Sequence, residues 1–144
     1  MEPRAGHDLL GRREPYWADA IGNLAEADRP WVAESDGFLV GFVAFGSAHD
    51  GDDDRRTGEI YSVDVHPDSW LRGIGADLVA RAVADLRSHG YTSATLWVLA
   101  ANRRARAFYE HFGWKADGNT RTETIGGINL VEMRYLLSLH NVQT

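Results

Sequence analysis

The sequence predicts an α/β fold: an α+β mixed sheet, mostly antiparallel, built around one central βαβ unit. Three observations predict it. Trp31–Glu34 and Phe38–Phe45 are β-rich runs separated by Ser35-Asp36-Gly37, and Asp-Gly between apolar runs is a hairpin signal. Residues 58–66, 73–89 and 92–99 then read as strand, helix and strand, an order that sets the two strands parallel. Trp114 to about Thr124 and Ile128 to about Leu137 flank Gly126-Gly127, which makes a second hairpin. A chain of 144 residues suits a single domain spanning 1–144.

Taken in order, residues 1–6 carry Pro3 and Gly6 and read as a loose start. Asp8 to Leu24 places Leu9, Leu10, Tyr16, Trp17, Ile21 and Leu24 at apolar helical positions. Pro15 divides that segment into two short helices or moves its start to near Glu14. The run FLVGFVAFG from Phe38 is apolar on both faces, as a central covered strand would be. Ala48 to Gly58 is a polar loop. Its Asp50, Asp52, Asp53 and Asp54 lack the helix-loop-helix frame and terminal glutamate of a calcium loop, so a solvated hairpin tip is expected.

The next strand, Glu59 to Val65, holds Ile60, Val63 and Val65 and stops at His66-Pro67-Asp68, since proline cannot donate to a ladder. In the helix from about Gly73 to His89, Ile74, Leu78, Val79, Ala82, Val83 and Leu86 fall on one face, and Gly90 ends it. Thr92 to Leu99 is a strand. Asn102 to Phe112 is a helix, capped near Ala101–Asn102 and stopped by Gly113.

Composition narrows the function classes. With 44% hydrophobic and 25% charged residues, the chain has the balance of a soluble globular protein. It contains no apolar run of membrane-spanning length, and MEPRAGHDLL lacks the apolar segment of a signal peptide. Zero cysteines exclude disulfides, thiolate metal ligands and a cysteine nucleophile, and fit a reducing, cytoplasmic compartment. A net charge of -6 argues against nucleic acid as a partner and mildly favours a cationic amine. His7, His49, His66, His89, His111 and His140 show no ligand spacing, so no metal is predicted. His66 reads as a turn residue before Pro67, with assistance to proton transfer as the sharper alternative.

The stretch EIYSVDVHPDSWLRGIGADL, Glu59 to Leu78, carries the chemistry. The first turn of a helix leaves backbone N–H groups unpaired, and its dipole adds partial positive charge there. Gly73 and Gly75 carry no Cβ, so an anion can approach that backbone closely. A pyrophosphate cradle is the first reading. Walker A fails, because the residues after the second glycine are Ala76-Asp77 rather than Lys-Ser/Thr. The dinucleotide fingerprint wants a third glycine where the chain has Leu78, and an early βαβ unit where this one lies mid-chain.

A different resemblance covers Val32 to Leu137. The chain resembles the GCN5-related N-acetyltransferases (the GNAT superfamily), whose pyrophosphate loop reads Gln/Arg-x-x-Gly-x-Gly/Ala between a strand and a helix. Trp70-Leu71-Arg72-Gly73-Ile74-Gly75 occupies that frame, with Trp70 for the usual Gln/Arg and Leu71 where glycine is frequent. Independently, Val98, Asn102, Ala105, Phe108-Tyr109-Glu110 and Phe112-Gly113-Trp114 follow the family's Val…Asn-x-x-Ala-x-x-x-Tyr-x-x-x-Gly-Phe pattern, with Trp114 for Phe. The resemblance implies the GNAT fold, in which the two parallel strands splay apart at a bulge and the coenzyme enters the gap.

It also implies residue roles. Leu71, Arg72, Gly73, Ile74, Gly75 and Ala76 would hold the pyrophosphate of acetyl-CoA, which acts as a co-substrate. The backbone of Val63, Asp64 and Val65 would pair with pantetheine, with one N–H polarising the thioester carbonyl. Asn102 would bond the pantetheine arm, cap its own helix, or do both. Glu59, fourteen positions before Gly73, matches the catalytic glutamate of the histone-acetylating branch. The alternative is a carboxylate paired with Arg55 or Arg56. Tyr109 resembles the family's general acid and would protonate the departing thiolate; ordinary pKa values of about 10 for a phenol and about 8.5 for a thiol are close enough for that transfer. The alternative is an aromatic that packs the helix.

The expectation is therefore an acetyl-CoA-dependent N-acetyltransferase using direct transfer to a small-molecule or protein amine. Its rivals are a non-catalytic acyl-CoA-binding sensor of the same fold and a transferase for a longer acyl group. No nucleic-acid or membrane partner is expected, and a homodimer is allowed. Before Trp17 the sequence shows no convincing first strand, so the N-terminal strand and helix of the family read as shortened.

Overall fold

The computed structural model describes residues 2–5, 31–35, 37–48, 56–66 and 73–139. The helical reading of Asp8–Leu24, the aspartates at 50–54, and Trp70, Leu71 and Arg72 lie outside the described residues. Seven described strands form one sheet in the order β1-β2-β3-β4-β5-β7-β6.

β1 (Glu2–Ala5) pairs antiparallel with β2 (Trp31–Ser35), with Glu2 opposite Glu34 and Ala5 opposite Trp31. This corrects the loose start read from Pro3 and supplies the first strand that the sequence did not show before Trp17. At the sheet's edge one side of a strand needs no donors, so proline is tolerated there. β2 turns through Gly37, at φ +82°, into β3 (Phe38–Ser47). Every residue of β3 from Leu39 to Gly46 is buried, as its unbroken apolar run predicts.

β4 (Thr57–Val65) runs antiparallel to β3. It begins two residues before the expected Glu59, because Thr57 and Gly58 are drawn into parallel pairing with Ser93 and Ala94. Helix α1 (Ile74–Ser88) follows, then β5 (Ser93–Leu99), parallel to β4; this is the predicted βαβ unit. Helix α2 (Arg103–His111) leads to the last hairpin, β6 (Lys115–Ile125) and β7 (Ile128–Ser138). Gly126 and Gly127 both have positive φ, 58° and 81°, as a two-residue turn between twisted strands requires.

The helices share a core on one sheet face. Ile74, Leu78, Val79, Ala82, Val83 and Leu86 of α1 pack with Phe45, Ile60, Ala94, Leu96, Val98, Trp114 and Tyr135, and Ala105, Phe108 and Tyr109 of α2 join them. Leu78 is fully buried. Leu78→Ala removes about 2–5 kcal/mol of stability through lost burial and a residual cavity. The check is a lower denaturant midpoint at unchanged slope.

The final hairpin carries a bulge the sequence did not announce. Ala116 faces Tyr135 and Thr120 faces Met133, so Asp117-Gly118-Asn119 oppose Arg134 alone. The Asp117 carboxylate accepts from the Asn119 backbone N–H at 2.9 Å and from Arg134 Nε at 2.7 Å. Partial burial works against that charge, yet these donors hold Asp117 below the usual carboxylate range.

Candidate active site

The parallel β4–β5 ladder has three pairs: Thr57 with Ser93, Gly58 with Ala94, and Glu59 with Thr95. Beyond Glu59, β4 continues to Val65 against β3, while β5 continues to Leu99 against β7. The two strands therefore part, as the resemblance implies. The cause is local. Phe45 faces Ile60 and Ala44 faces Ser62, which leaves Tyr61 as an extra residue on β4. A bulge increases twist and bends its strand. The Tyr61 hydroxyl holds the bulge by donating to the Ser47 carbonyl.

Glu59 stands on the last rung before this gap and is 7% exposed. Its neighbour Ile60 belongs to the helix-side core, so strand alternation turns Glu59 to the opposite face. Val63, Asp64 and Val65 lie past the parting, opposite Val43, Phe42 and Gly41. Next along the chain, the His66 N–H donates to the Val40 carbonyl at 2.7 Å, which ties down the strand's exit.

Gly73 is the N-cap of α1 with φ +77° and ψ 9°, a conformation that favours glycine. The first intrahelical bond runs from the Asp77 N–H to the Gly73 carbonyl at 3.1 Å. The amides of Ile74, Gly75 and Ala76 are therefore the N-terminal donors of the helix. A Cβ on Gly75 would come no closer than 3.9 Å, to Val65 Cγ2, an ordinary contact. So the chain's own packing does not demand glycine at 75. The same proximity places the first turn of α1 beside the end of β4. The Ile74 side chain enters the core, so only its backbone can serve an anion. Asp77 sits in this turn and is offset by Arg81 at 3.5 Å.

Asn102 caps α2, its Oδ1 accepting from the Ala105 N–H at 3.0 Å. Seven residues on, Tyr109 is half-buried on the helix side of the sheet, edge-on to Phe108 at 5.0 Å and Trp114 at 6.0 Å between ring centres. Burial pushes its phenol up to about 12. Tyr109 therefore holds its proton more tightly than a free phenol and lies farther above a thiol's ordinary pKa of about 8.5 than the sequence led one to expect.

A group of residues around Tyr109 escaped the sequence reading. The fully buried Tyr135 donates its hydroxyl to Glu110 Oε2 at 2.6 Å and accepts from Arg106 Nε at 3.1 Å. Arg106 also donates through Nη1 to the Ala100 carbonyl at 3.1 Å. The i, i+4 spacing of Arg106 and Glu110 was a visible signal. Their shared partner on β7 was not.

The structure places Glu59 and Val63–Val65 on β4 and Gly73–Ala76 at the start of α1, within one βαβ unit, and places Asn102 and Tyr109 on α2, which follows β5. The family model described as "Acetyltransferase (GNAT) family" matches residues 3–114. A mycothiol acetyltransferase of Acidimicrobium ferrooxidans is 34% identical over 109 residues, 76% of this chain and 33% of that protein. A probable N-acetyltransferase of Mycobacterium tuberculosis is 32% identical over 141 residues, 88% of this chain and 78% of its own. The chain spans about one third of the length of the first mycothiol acetyltransferase it matches.

Among solved structures, an N-acetyltransferase from Staphylococcus aureus superposes with a TM-score of 0.71 at 23% identity, covering 88% of this chain and 75% of its own. A Salmonella typhimurium protein solved with its cofactor acetyl-CoA gives 0.70 at 23%, covering 90% and 73%. These likenesses show the fold. By the extent of the family match and by its relatives, this chain belongs to the GNAT family of acetyltransferases.

Proposed function

We propose that this chain transfers the acetyl group of acetyl-CoA directly to a primary amine, in a ternary complex and without an acyl-enzyme. The observation that carries the reading is the parting of β4 and β5 at Glu59–Thr95, between the face bearing Glu59 and the face bearing Tyr109. Pantetheine would add to the backbone of Val63, Asp64 and Val65, much as a strand adds to an exposed edge. The pyrophosphate would rest on the amides of Ile74, Gly75 and Ala76, with Gly73 setting the turn and Leu71 and Arg72 completing the loop. The freedom from internal crowding at Gly75 supports this, because the missing Cβ leaves room for a ligand and for nothing in the chain. Asn102 would add a donor to the pantetheine arm.

In the reaction the amine lone pair attacks the thioester carbonyl carbon, and an N–H of the Val63–Val65 segment stabilises the oxyanion. A free amine is mostly ammonium at pH 7, with a pKa of about 10, so Glu59 takes its proton directly or through water. The C–S bond breaks, the electron pair goes to sulfur, and the Tyr109 hydroxyl donates to the thiolate. A phenol held at about 12 stays protonated across the working pH range but is a weaker acid than a free phenol. Transfer to a thiolate of ordinary pKa about 8.5 is therefore uphill, and is drawn forward by the proton leaving the acetylated nitrogen. As the C–S bond breaks the nitrogen sheds its second proton, and through solvent that proton restores the Tyr109 hydroxyl. The acceptor is a small-molecule or protein amine, and mycothiol-type acceptors of the named relatives are one candidate class.

The test is thiol release from acetyl-CoA with ethanolamine, glucosamine, spermidine and an alanine-terminated peptide. Amine-dependent release, with an acceptor heavier by one acetyl group, is expected. Saturable binding without release would favour the sensor. Faster turnover of a longer acyl-CoA would favour the other rival.

A further inference from the structure

We propose that Arg106, Tyr135 and Glu110 act as positioning residues that fix α2, and with it the direction of the Tyr109 hydroxyl. The inference rests on the assignment of Tyr109 to the departing sulfur. Arg106 and Glu110 bracket Tyr109 on α2, three residues before it and one after. Both bond the same oxygen, the Tyr135 hydroxyl, at 3.1 and 2.6 Å. That oxygen is used as donor and acceptor at once, so it fixes α2 in rotation as well as in height. Tyr135 lies on β7 opposite Leu96 of β5 and is fully buried, which anchors the bridge to a wall of the gap itself.

The second arm of Arg106 reaches the Ala100 carbonyl, in the turn that leads to the Asn102 cap. One guanidinium thus ties the start of α2, the middle of α2 and β7. Burial foremost, and then the Glu110 carboxylate, raise the Tyr135 phenol, while Arg106 opposes them; the net effect keeps its proton in place for Glu110. A ring alone would suffice to fill this place in the core. The hydroxyl and its two charged partners are what packing leaves unexplained. Their common effect is to set where Tyr109 points, and a donor displaced by about 1 Å loses much of its catalytic effect.

The test uses full-length protein labelled with 3-fluorotyrosine, in which the Tyr109 fluorine resonance is assigned by its absence from Y109F. Tyr135→Phe keeps the ring and removes the shared oxygen; Arg106→Lys, at the surface end, removes the fork. Both are expected to shift, broaden or split the Tyr109 resonance. In thiol release with acetyl-CoA and the best acceptor among ethanolamine, glucosamine, spermidine and the alanine-terminated peptide, Tyr135→Phe lowers kcat by about tenfold with KM for acetyl-CoA unchanged. Added to Y109F, it causes no further loss, because both changes remove one effect. An unmoved Tyr109 resonance in both variants overturns the proposal. So does a Tyr135→Phe effect of equal size with and without the Tyr109 hydroxyl. A wild-type rate for Y109F overturns instead the assignment of Tyr109 to sulfur, since the resonance reports the ring's placement without turnover.

Discussion

Glu59→Gln is expected to lower acetyl transfer at pH 7 by about 10²-fold, the lower range of what a positioned general base contributes. The substitution keeps size and shape at a side chain 7% exposed, so no cavity forms and the β4–β5 rung with Thr95 persists. What the variant loses is the proposed proton acceptor. Acetyl-CoA affinity should be unchanged, because Glu59 precedes the segment that would pair with pantetheine. The deficit should narrow as pH rises toward the amine's own pKa of about 10, where solvent alone supplies neutral amine. A pH-rate series for wild type and variant checks this. Equal rates at every pH would remove Glu59 as the base.

Tyr109→Phe is expected to reduce kcat by about 10- to 100-fold, with little change in KM for acetyl-CoA. The ring still packs edge-on to Phe108 and Trp114, so stability near neutrality should be nearly unaffected. The pH signature differs from that of Glu59. A phenol at about 12 does not titrate between pH 6 and 10, so the loss should be a constant factor across that range. Its ionisation also affects stability. The unfolded phenol loses its proton near 10 and the folded one near 12, so the folded state binds more protons between those values and stability falls there as pH rises. The phenylalanine variant should lack this part of the alkaline loss. A wild-type kcat would return Tyr109 to a packing role.

The elements readable in the sequence were those whose signals are local. The Asp-Gly and Gly-Gly turns, the helical stripe from Ile74 to Leu86 and the doubly apolar run of β3 each predict what the structure contains. The parallel arrangement of β4 and β5 followed from topology alone. β1 was missed because Pro3 and the short length of Glu2–Ala5 carry no strand pattern, and pairing with β2 supplies the order. The Tyr61 bulge is likewise a register effect: nothing in TGEIYSVDV distinguishes Tyr61 until β3 is laid beside it. The polar bridge around Tyr109 joins residues 25 and 29 positions apart, so only the placement of β7 beside β5 reveals it. Even the acidity of Tyr109 depends on burial, which lowers it and which composition does not express.

The proposed binding of coenzyme at the parted strands and the first turn of α1 underlies the whole mechanism, and calorimetric titration with acetyl-CoA tests it most directly. The account predicts saturable binding with one coenzyme per chain and a dissociation constant between about 1 μM and 1 mM, the usual range for enzyme substrates. No heat of binding at ligand concentrations above about 1 mM would contradict it.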